Sequence, residues 1–273
     1  MLQTIYNKLY STINSLRYFI TEKTLYSLKK KNLYTLLKKK NPLISIICPT
    51  YNRCELLVER AIKSVLNQTY ENFELLIISD GSTDDTRLKI KNINDKRIKF
   101  FEITRKRKRY PETVENHWFC GPVNAINHGL KNIKGDWICR IDDDDIWTHD
   151  HIEILLNHAL NNNLEFVSSS QIEVRNGIKK INNHLNESPR VGGVQTWLYA
   201  SYLSFFKANI NCWRKNWNKV NDTDLQERFI KTKIKMGFID YPTVLLLPRP
   251  GDNNIGIKAY QEKKELYLKH YKF

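Results

Sequence analysis

Three observations predict an α/β fold: a doubly wound, mostly parallel sheet with helices on both faces. From Leu43 onward, short apolar runs rich in β-branched residues alternate with stretches of helical periodicity. That is the grammar of buried parallel strands joined by crossover helices. The polar residues with chemical potential follow directly on those apolar runs, at the carboxyl ends of the strands, where open α/β sheets bind ligands. Nothing from 41 to 273 reads as a linker, so this stretch is taken as one domain with two halves, 41–147 and 148–273. Residues 1–40 form a basic helical N-terminal extension.

In the extension, Ile5, Leu9, Ile13, Leu16 and Ile20 recur at helical spacing, and Leu33, Leu36 and Leu37 lie between lysine runs. Such a helix either packs on the domain or lies on an anionic bilayer. Pro42 marks its end. The run 43–48 is the first strand and Pro49 closes it; Leu57, Ala61, Ile62, Val65 and Leu66 then make a helical face. Residues 73–78 are a second strand, and Ser82 with Asp85 three positions on reads as a capping box for the next helix. Residues 98–101 are a third strand.

A basic loop, Arg105 to Arg109, leads to a helix with Val123, Ile126, Leu130 and Ile133 on one face. Trp137 to Ile141 is a fourth strand, ending in Asp142, Asp143, Asp144 and Asp145. Thr148 is the expected N-cap of a helix that buries Ile152, Leu155, Leu156, Ala159 and Leu160. In the second half, 166–168 reads as a strand, and Asn176-Gly177 between Val174 and Ile178 signals a hairpin. The aromatic stretch from Trp197 to Trp217 is expected to be mostly core, with a ring or two near Trp197 facing an acceptor. A helix over 222–235, a strand over 244–247 and a helix over 259–271 complete the chain.

Lys and Arg total 44 against 29 acids, a formal charge of +15, which favours acidic partners: nucleic acid, anionic lipid or phosphorylated small molecules. Much of the excess lies in residues 1–40, where Lys8, Arg17, Lys23, Lys29, Lys30, Lys31, Lys38, Lys39 and Lys40 face one acid, Glu22. Five cysteines without CxxC spacing argue against a disulfide framework or a zinc site. No apolar run approaches the roughly 20 residues of a membrane span, and the start lacks a signal-peptide pattern. A cytoplasmic protein in peripheral contact with an anionic membrane through residues 1–40 is the expectation.

Four consecutive aspartates repel one another unless a cation or a basic partner compensates. One of them could cap the following helix, but capping does not require four. Hard cations such as Mg²⁺ or Mn²⁺ take carboxylate oxygens and share their shell with substrate phosphates, and the carboxyl edge of an α/β sheet suits such a site. No GxGxxG or GxxxxGK[ST] loop is present, so a bound diphosphate would depend on the metal rather than on a glycine-rich cradle.

Several segments match a known family in order and spacing. Pro49-Thr50-Tyr51-Asn52-Arg53, then 64–69, then Asp80-Gly81-Ser82-Thr83-Asp84-Asp85-Thr86 resemble the opening of family-2 glycosyltransferases. Gly121 to Asn127, 134–138, Asp142 to Trp147, and Asn221-Asp222 with Leu225 and Arg228 resemble its later motifs. The likeness runs from about Leu43 to about Arg249. It implies a GT-A fold, with 41–147 as the nucleotide-binding half and 148–273 as the acceptor half with a C-terminal helix.

The resemblance further implies an inverting transfer from a nucleoside-diphosphate sugar, UDP-sugar favoured, to a hydroxyl of a glycan, lipid-linked or protein-linked acceptor, with Mn²⁺ or Mg²⁺. Pro49, Thr50, Tyr51 and Asn52 would line the nucleoside, with Tyr51 able to stack on the base and Asp80 accepting from it. Asp142, Asp143 and Arg249 would also meet the donor, Asp142 and Asp144 would hold the metal, and Asp222 would be the catalytic base. Alone, Tyr51, Asp80 and Arg249 read as ordinary turn or loop residues. Asp222 has a rival in Asp224, and the pair could instead cap the helix that follows. Ser79, Ile126 and Asn221 depart from the residues common at those places in the family. A nucleic-acid partner is not favoured, because the aspartate turn would repel phosphates. A catalytically inactive module that binds nucleotide-sugar, nucleic acid or membrane, and a nucleotidyltransferase, remain the alternatives.

Overall fold

The computed structural model describes residues 2–104, 110–214 and 220–271. The basic loop 105–109 and Trp217 therefore lie outside the described residues. The chain opens with α1 (Leu2–Lys29) and α2 (Asn32–Leu37). The domain that follows is one nine-stranded sheet flanked by helices, ordered β3-β2-β1-β4-β8-β6-β9-β5, with β7 on β6.

The first half is wholly parallel. β1 (Ile44–Thr50), β2 (Phe73–Ser79), β3 (Ile98–Glu102) and β4 (Trp137–Arg140) pair β1–β2, β2–β3 and β1–β4. Every residue of β1 and β2 is buried, which is why these strands read as apolar runs rather than as alternating ones. Their crossovers are α3 (Cys54–Leu56) running through a π-helical turn (Leu57–Ile62) into α4 (Lys63–Leu66), then α5 (Thr86–Lys91), and then α6 (Val114–Cys120) with α7 (Val123–Asn132). α7 packs on β1 and β2. Gly129 permits that approach, since a Cβ there would meet Ile47 Cγ2 at 2.7 Å.

The second half is mixed. β5 (Asp145–Trp147), β6 (Phe166–Arg175), β7 (Ile178–Asn182), β8 (Leu198–Ala200) and β9 (Met236–Leu246) surround α8 (His151–Asn161) and α9 (Asn221–Thr232). β8 runs antiparallel to both β4 and β6, and β5 antiparallel to β9, while β6 and β9 are parallel. The Asn176-Gly177 hairpin forms as expected, with φ of 49° and 76°, as a tight turn with both central residues left-handed requires. α10 (Ile257–Glu262) and α11 (Lys264–Tyr271) close the chain.

Two expected caps are not formed. Ser82 and Asp85 make no capping box: the Ser82 hydroxyl accepts from the Asn52 N–H (3.0 Å), and α5 begins only at Thr86. Asp84 takes over, accepting from the Thr86 N–H (3.2 Å) and the Cys54 N–H (3.0 Å). Thr148 is not the cap of α8: its hydroxyl donates to Asp150 Oδ1 (2.7 Å) instead of accepting from the helix, which starts three residues later. Trp197 faces the core rather than an acceptor. It is 1% exposed and packs with Phe166, Tyr199 and Phe206 around the buried Phe229 ring.

Candidate active site

The carboxyl ends of β1, β2 and β4 meet at one cavity of about 340 Å³. Register explains the convergence. Thr50 ends β1 beside Ser79 of β2, and Ile47 pairs with Arg140 of β4. The Asp80 N–H donates to the Thr50 carbonyl (3.0 Å), and Gly81, at φ 72°, turns the chain away behind it. Pro49, Thr50, Tyr51, Asp80, Asp142, Asp143, Asp144, Asp222 and Arg249 all line this cavity. Asn52 does not. Its carboxamide oxygen accepts from the Thr83 N–H (2.6 Å) and holds the 80–86 turn against β1.

The four aspartates have four different environments. Asp142 Oδ1 accepts twice from the Arg140 guanidinium, at 3.0 and 2.8 Å. Asp143 is buried and accepts from Thr50 Oγ1 (2.8 Å) and Arg53 Nη1 (3.0 Å). Burial pushes its carboxyl up to about 6, although Arg53 beside it works the other way. Asp144 Oδ2 faces Arg53 at 3.5 Å and Arg249 at 3.9 Å, and its side chain is 23% exposed. Asp145 is buried in β5, and burial with its three acidic neighbours raises its carboxyl well above the ordinary range. Asp142, at 34%, and Asp144, at 23%, are thus the partly open members, and Asp144 is the one held by longer-range charge.

The arginines were the least legible part of the site. Arg53 bridges the acidic turn to the Tyr260 hydroxyl (3.0 Å). Arg60 donates to the carbonyls of Asp144 (2.9 Å), Leu247 (3.2 Å) and Pro248 (2.8 Å), fastening the turn to the segment that carries Arg249. Arg249 is held by Asp252 (Nε to Oδ2, 3.1 Å) and packs over Tyr260 and Tyr267. Two guanidiniums therefore flank Asp144 at the cavity wall.

Asp222 and Asp224, two residues apart on α9, face different surroundings. Asp222 is partly buried and lines the cavity. Burial raises its carboxyl, with Arg140 opposing. The Arg140 guanidinium donates to Asn221 Oδ1 (3.3 Å), which seats the first turn of α9 at the end of β4. Asp224 is 1% exposed and accepts from Arg228 (2.9 Å) and Asn209 (3.3 Å), and Arg228 also binds Glu22 of α1. Asp224 belongs to the packing of α9.

Among the described residues, no three His, Cys, Asp or Glu side chains gather to hold a metal ion. Asp142 and Asp144 nevertheless offer hard oxygen donors at the cavity wall. That donor set suits a Mg²⁺ or Mn²⁺ that completes its shell with substrate phosphate oxygens, not a cation held by protein alone.

A wall absent from the sequence reading comes from the second half. Gln171, Glu173 and Arg175 alternate on β6 with Ile172 and Val174, so all three point to one face. Glu173 accepts from Gln171 (2.8 Å), Arg175 (3.0 Å) and Asn182 (3.0 Å), and Gln171 accepts from the Gly193 N–H (3.1 Å). These residues, with Gly193 and Gln195, line the cavity. A period-two polar stripe was the available signal.

A model of the family described as Glycosyl transferase family 2 matches residues 45–222. The chain belongs to glycosyl transferase family 2. Over 125 residues this family-2 chain is 38% identical to the UDP-Glc:alpha-D-GlcNAc-diphosphoundecaprenol beta-1,3-glucosyltransferase WfgD of Escherichia coli, a match covering 46% of this chain and 44% of that protein. The match thus spans less than half of that relative. Among solved structures, Staphylococcus aureus TarS 1-349 in complex with UDP-GlcNAc superposes with a TM-score of 0.58 at 16% identity, covering 77% of this chain and 60% of the other. The mannosyltransferase PcManGT from Pyrobaculum calidifontis, in complex with GDP-Man and Mn²⁺, superposes with a TM-score of 0.56 at 15% identity, covering 88% and 68%. At such identities these structures speak for the fold alone, and this family-2 member has the GT-A arrangement.

Proposed function

We propose that this family-2 protein is an inverting glycosyltransferase that moves a sugar from a nucleoside-diphosphate donor, UDP-sugar favoured, to a hydroxyl of a lipid-linked glycan. One observation carries the reading: Asp80 after β2, Asp142 and Asp144 in the turn after β4, and Asp222 on α9, which come from three separate segments, line a single cavity at the strand ends. Its volume, about 340 Å³, falls in the range of small-molecule sites.

In this reading Pro49, Thr50 and Tyr51 bound the nucleoside, and Asp80 accepts a hydrogen bond from the imide N–H of the base. Asp142 and Asp144 are the residues that would hold a divalent cation. When bound, such a cation supplies positive charge to the departing diphosphate. Arg249 and Arg53 add fixed positive charge on the same wall, while Asp143 is spent on orienting Arg53 and Thr50. Asp222 takes the proton of the acceptor hydroxyl as its oxygen attacks the anomeric carbon opposite the leaving group. Its raised pKa favours that role, since a more basic carboxylate is a better proton acceptor near neutral pH. The lipid-linked acceptor is supported by the name of the E. coli relative, which acts on a sugar carried by diphosphoundecaprenol.

The test is a transfer assay with UDP-glucose, UDP-N-acetylglucosamine and GDP-mannose, each with a polyprenyl-diphosphate-linked sugar and Mn²⁺. Transfer with a product of inverted anomeric configuration supports the proposal. Retained configuration would remove Asp222 as the base of a single displacement. Tight nucleotide binding with no turnover on any donor would favour the inactive-module reading.

A further inference from the structure

We propose that the outer face of α1 is a docking surface for an anionic lipid bilayer. The helix is turned opposite to what its composition suggests. Its aliphatic stripe, Leu2, Ile5, Leu9, Ile13, Leu16 and Ile20, faces away from the domain, with exposures from 57% at Ile5 to 85% at Leu2. The face that meets the domain is polar and aromatic. Asn7 accepts from Arg214 (2.8 Å), Tyr10 lies under the same guanidinium (4.9 Å), Glu22 is buried on Arg228, and the Tyr26 hydroxyl donates to Glu165 (2.8 Å). These contacts fix which side is out. A stripe of six large aliphatic side chains in water is an interaction surface.

Charge selects the occupant. Lys8 and Arg17 border the stripe, and the exposed Lys23, Lys30 and Lys31 continue from it. The one acid of the segment, Glu22, is turned inward and neutralised by Arg228. A narrow apolar stripe with a purely basic rim is the pattern of a helix lying in the headgroup region of anionic lipid. The same positions, Leu2, Leu9 and Leu16 with Tyr6, Ile13 and Ile20, also fit a heptad seam. A second copy, however, would bring basic rims together with no acid to pair them, and a lipid surface supplies the missing charge.

The geometry ties this surface to the cavity without depending on what the cavity does. α1 packs on α9, whose first turn holds Asp222, and on the 212–214 turn that precedes it. Lipid against the outer stripe would lie one helix layer from the segment that presents Asp222.

The test is flotation of the full chain with phosphatidylcholine vesicles, with and without phosphatidylglycerol, alongside sedimentation velocity. The chain should bind the anionic vesicles at least about tenfold more tightly than the neutral ones. Leu9→Gln, Ile13→Gln and Leu16→Gln combined should weaken that binding by about tenfold or more. Lys30→Glu with Lys31→Glu should erase most of the preference for anionic lipid. Both variants replace exposed side chains, so the melting temperature and any nucleotide-induced shift should stay at the wild-type values, which separates this outcome from failure of the transferase reading. Equal affinity of the wild type for both vesicle types, or unchanged binding by the glutamine variant, would overturn the proposal. So would a dimer that the glutamine variant dissolves, since that assigns the stripe to a second copy.

Discussion

The two halves of the domain build their shares of the cavity in different ways. In 41–147 the functional side chains sit on strand ends: Thr50 closes β1, Asp80 follows β2, and the aspartate turn follows β4. The strands that carry them are parallel and buried, and their order in the sequence is close to their order in space. In 148–273 the contributions arrive from long range. Arg249 is delivered by β9 pairing antiparallel with β5, Gln171 and Glu173 come from mid-strand on β6, and Asp222 from the first turn of α9. The first half builds its share of the cavity as a property of topology, whereas the second depends on individual side chains that reach it from long range.

The sharpest test of that difference uses the two aspartates of α9. Asp222→Asn should lower transfer by about 10²–10⁴-fold, the usual worth of a general base, with donor binding and melting temperature kept. Retained transfer would move the base elsewhere. Next in size, Asp224→Ala should cost about 1–3 kcal/mol of stability, because it removes buried hydrogen bonds from Arg228 and Asn209 while Glu22 still pairs Arg228. It would be read as a lower denaturant midpoint, with folded molecules still able to bind nucleotide. An unchanged midpoint would show that Asp224 is not structural.

Within the first half, Asp144→Ala should remove the Mn²⁺ dependence of donor affinity and leave the fold intact. Unchanged dependence would take the metal away from this turn. A smaller effect concerns pH. The base must be ionised, so transfer should hold above the raised pKa of Asp222 and fall as the pH drops through it. Arg140 holds that pKa down against burial. Arg140→Met should therefore move the acid limb of the kcat/KM profile to higher pH, and a limb that stays in place or moves lower would separate Arg140 from Asp222. The smallest expected effect is at Glu173→Gln, where KM for donor or acceptor should change by less than about tenfold, as for one hydrogen-bonding group in a pocket wall, with kcat nearly kept.

Legibility in the sequence followed the same division. β1 and β2 could be read because they are buried on both faces and hence apolar throughout. Asp80 and the aspartate turn could be read because they end such runs. Asn52 illustrates the limit: its motif is intact, yet its side chain serves the 80–86 turn and not the cavity. Ser82 does not cap because its hydroxyl accepts from the N–H of Asn52, distant in sequence, and Thr148 does not because its hydroxyl turns to Asp150 and α8 begins only at His151. Gln171, Glu173 and Arg175 went unseen because β6 was read only to 168, and Arg53, Arg60 and Arg140 because an arginine's partners are set by tertiary distance. The outward turn of α1 is of the same kind. Its periodicity is plain, but contacts to Arg214, Arg228 and Glu165 decide which face is buried.

Thermal unfolding of the wild-type chain with UDP and GDP, each with and without Mn²⁺, tests the central claim most directly. A donor site at the strand ends predicts a metal-dependent rise in melting temperature with one nucleotide, larger for UDP, corresponding to about 2.7 kcal/mol at a hundredfold excess over Kd. A folded sample that neither nucleotide stabilises, with or without the metal, would contradict it.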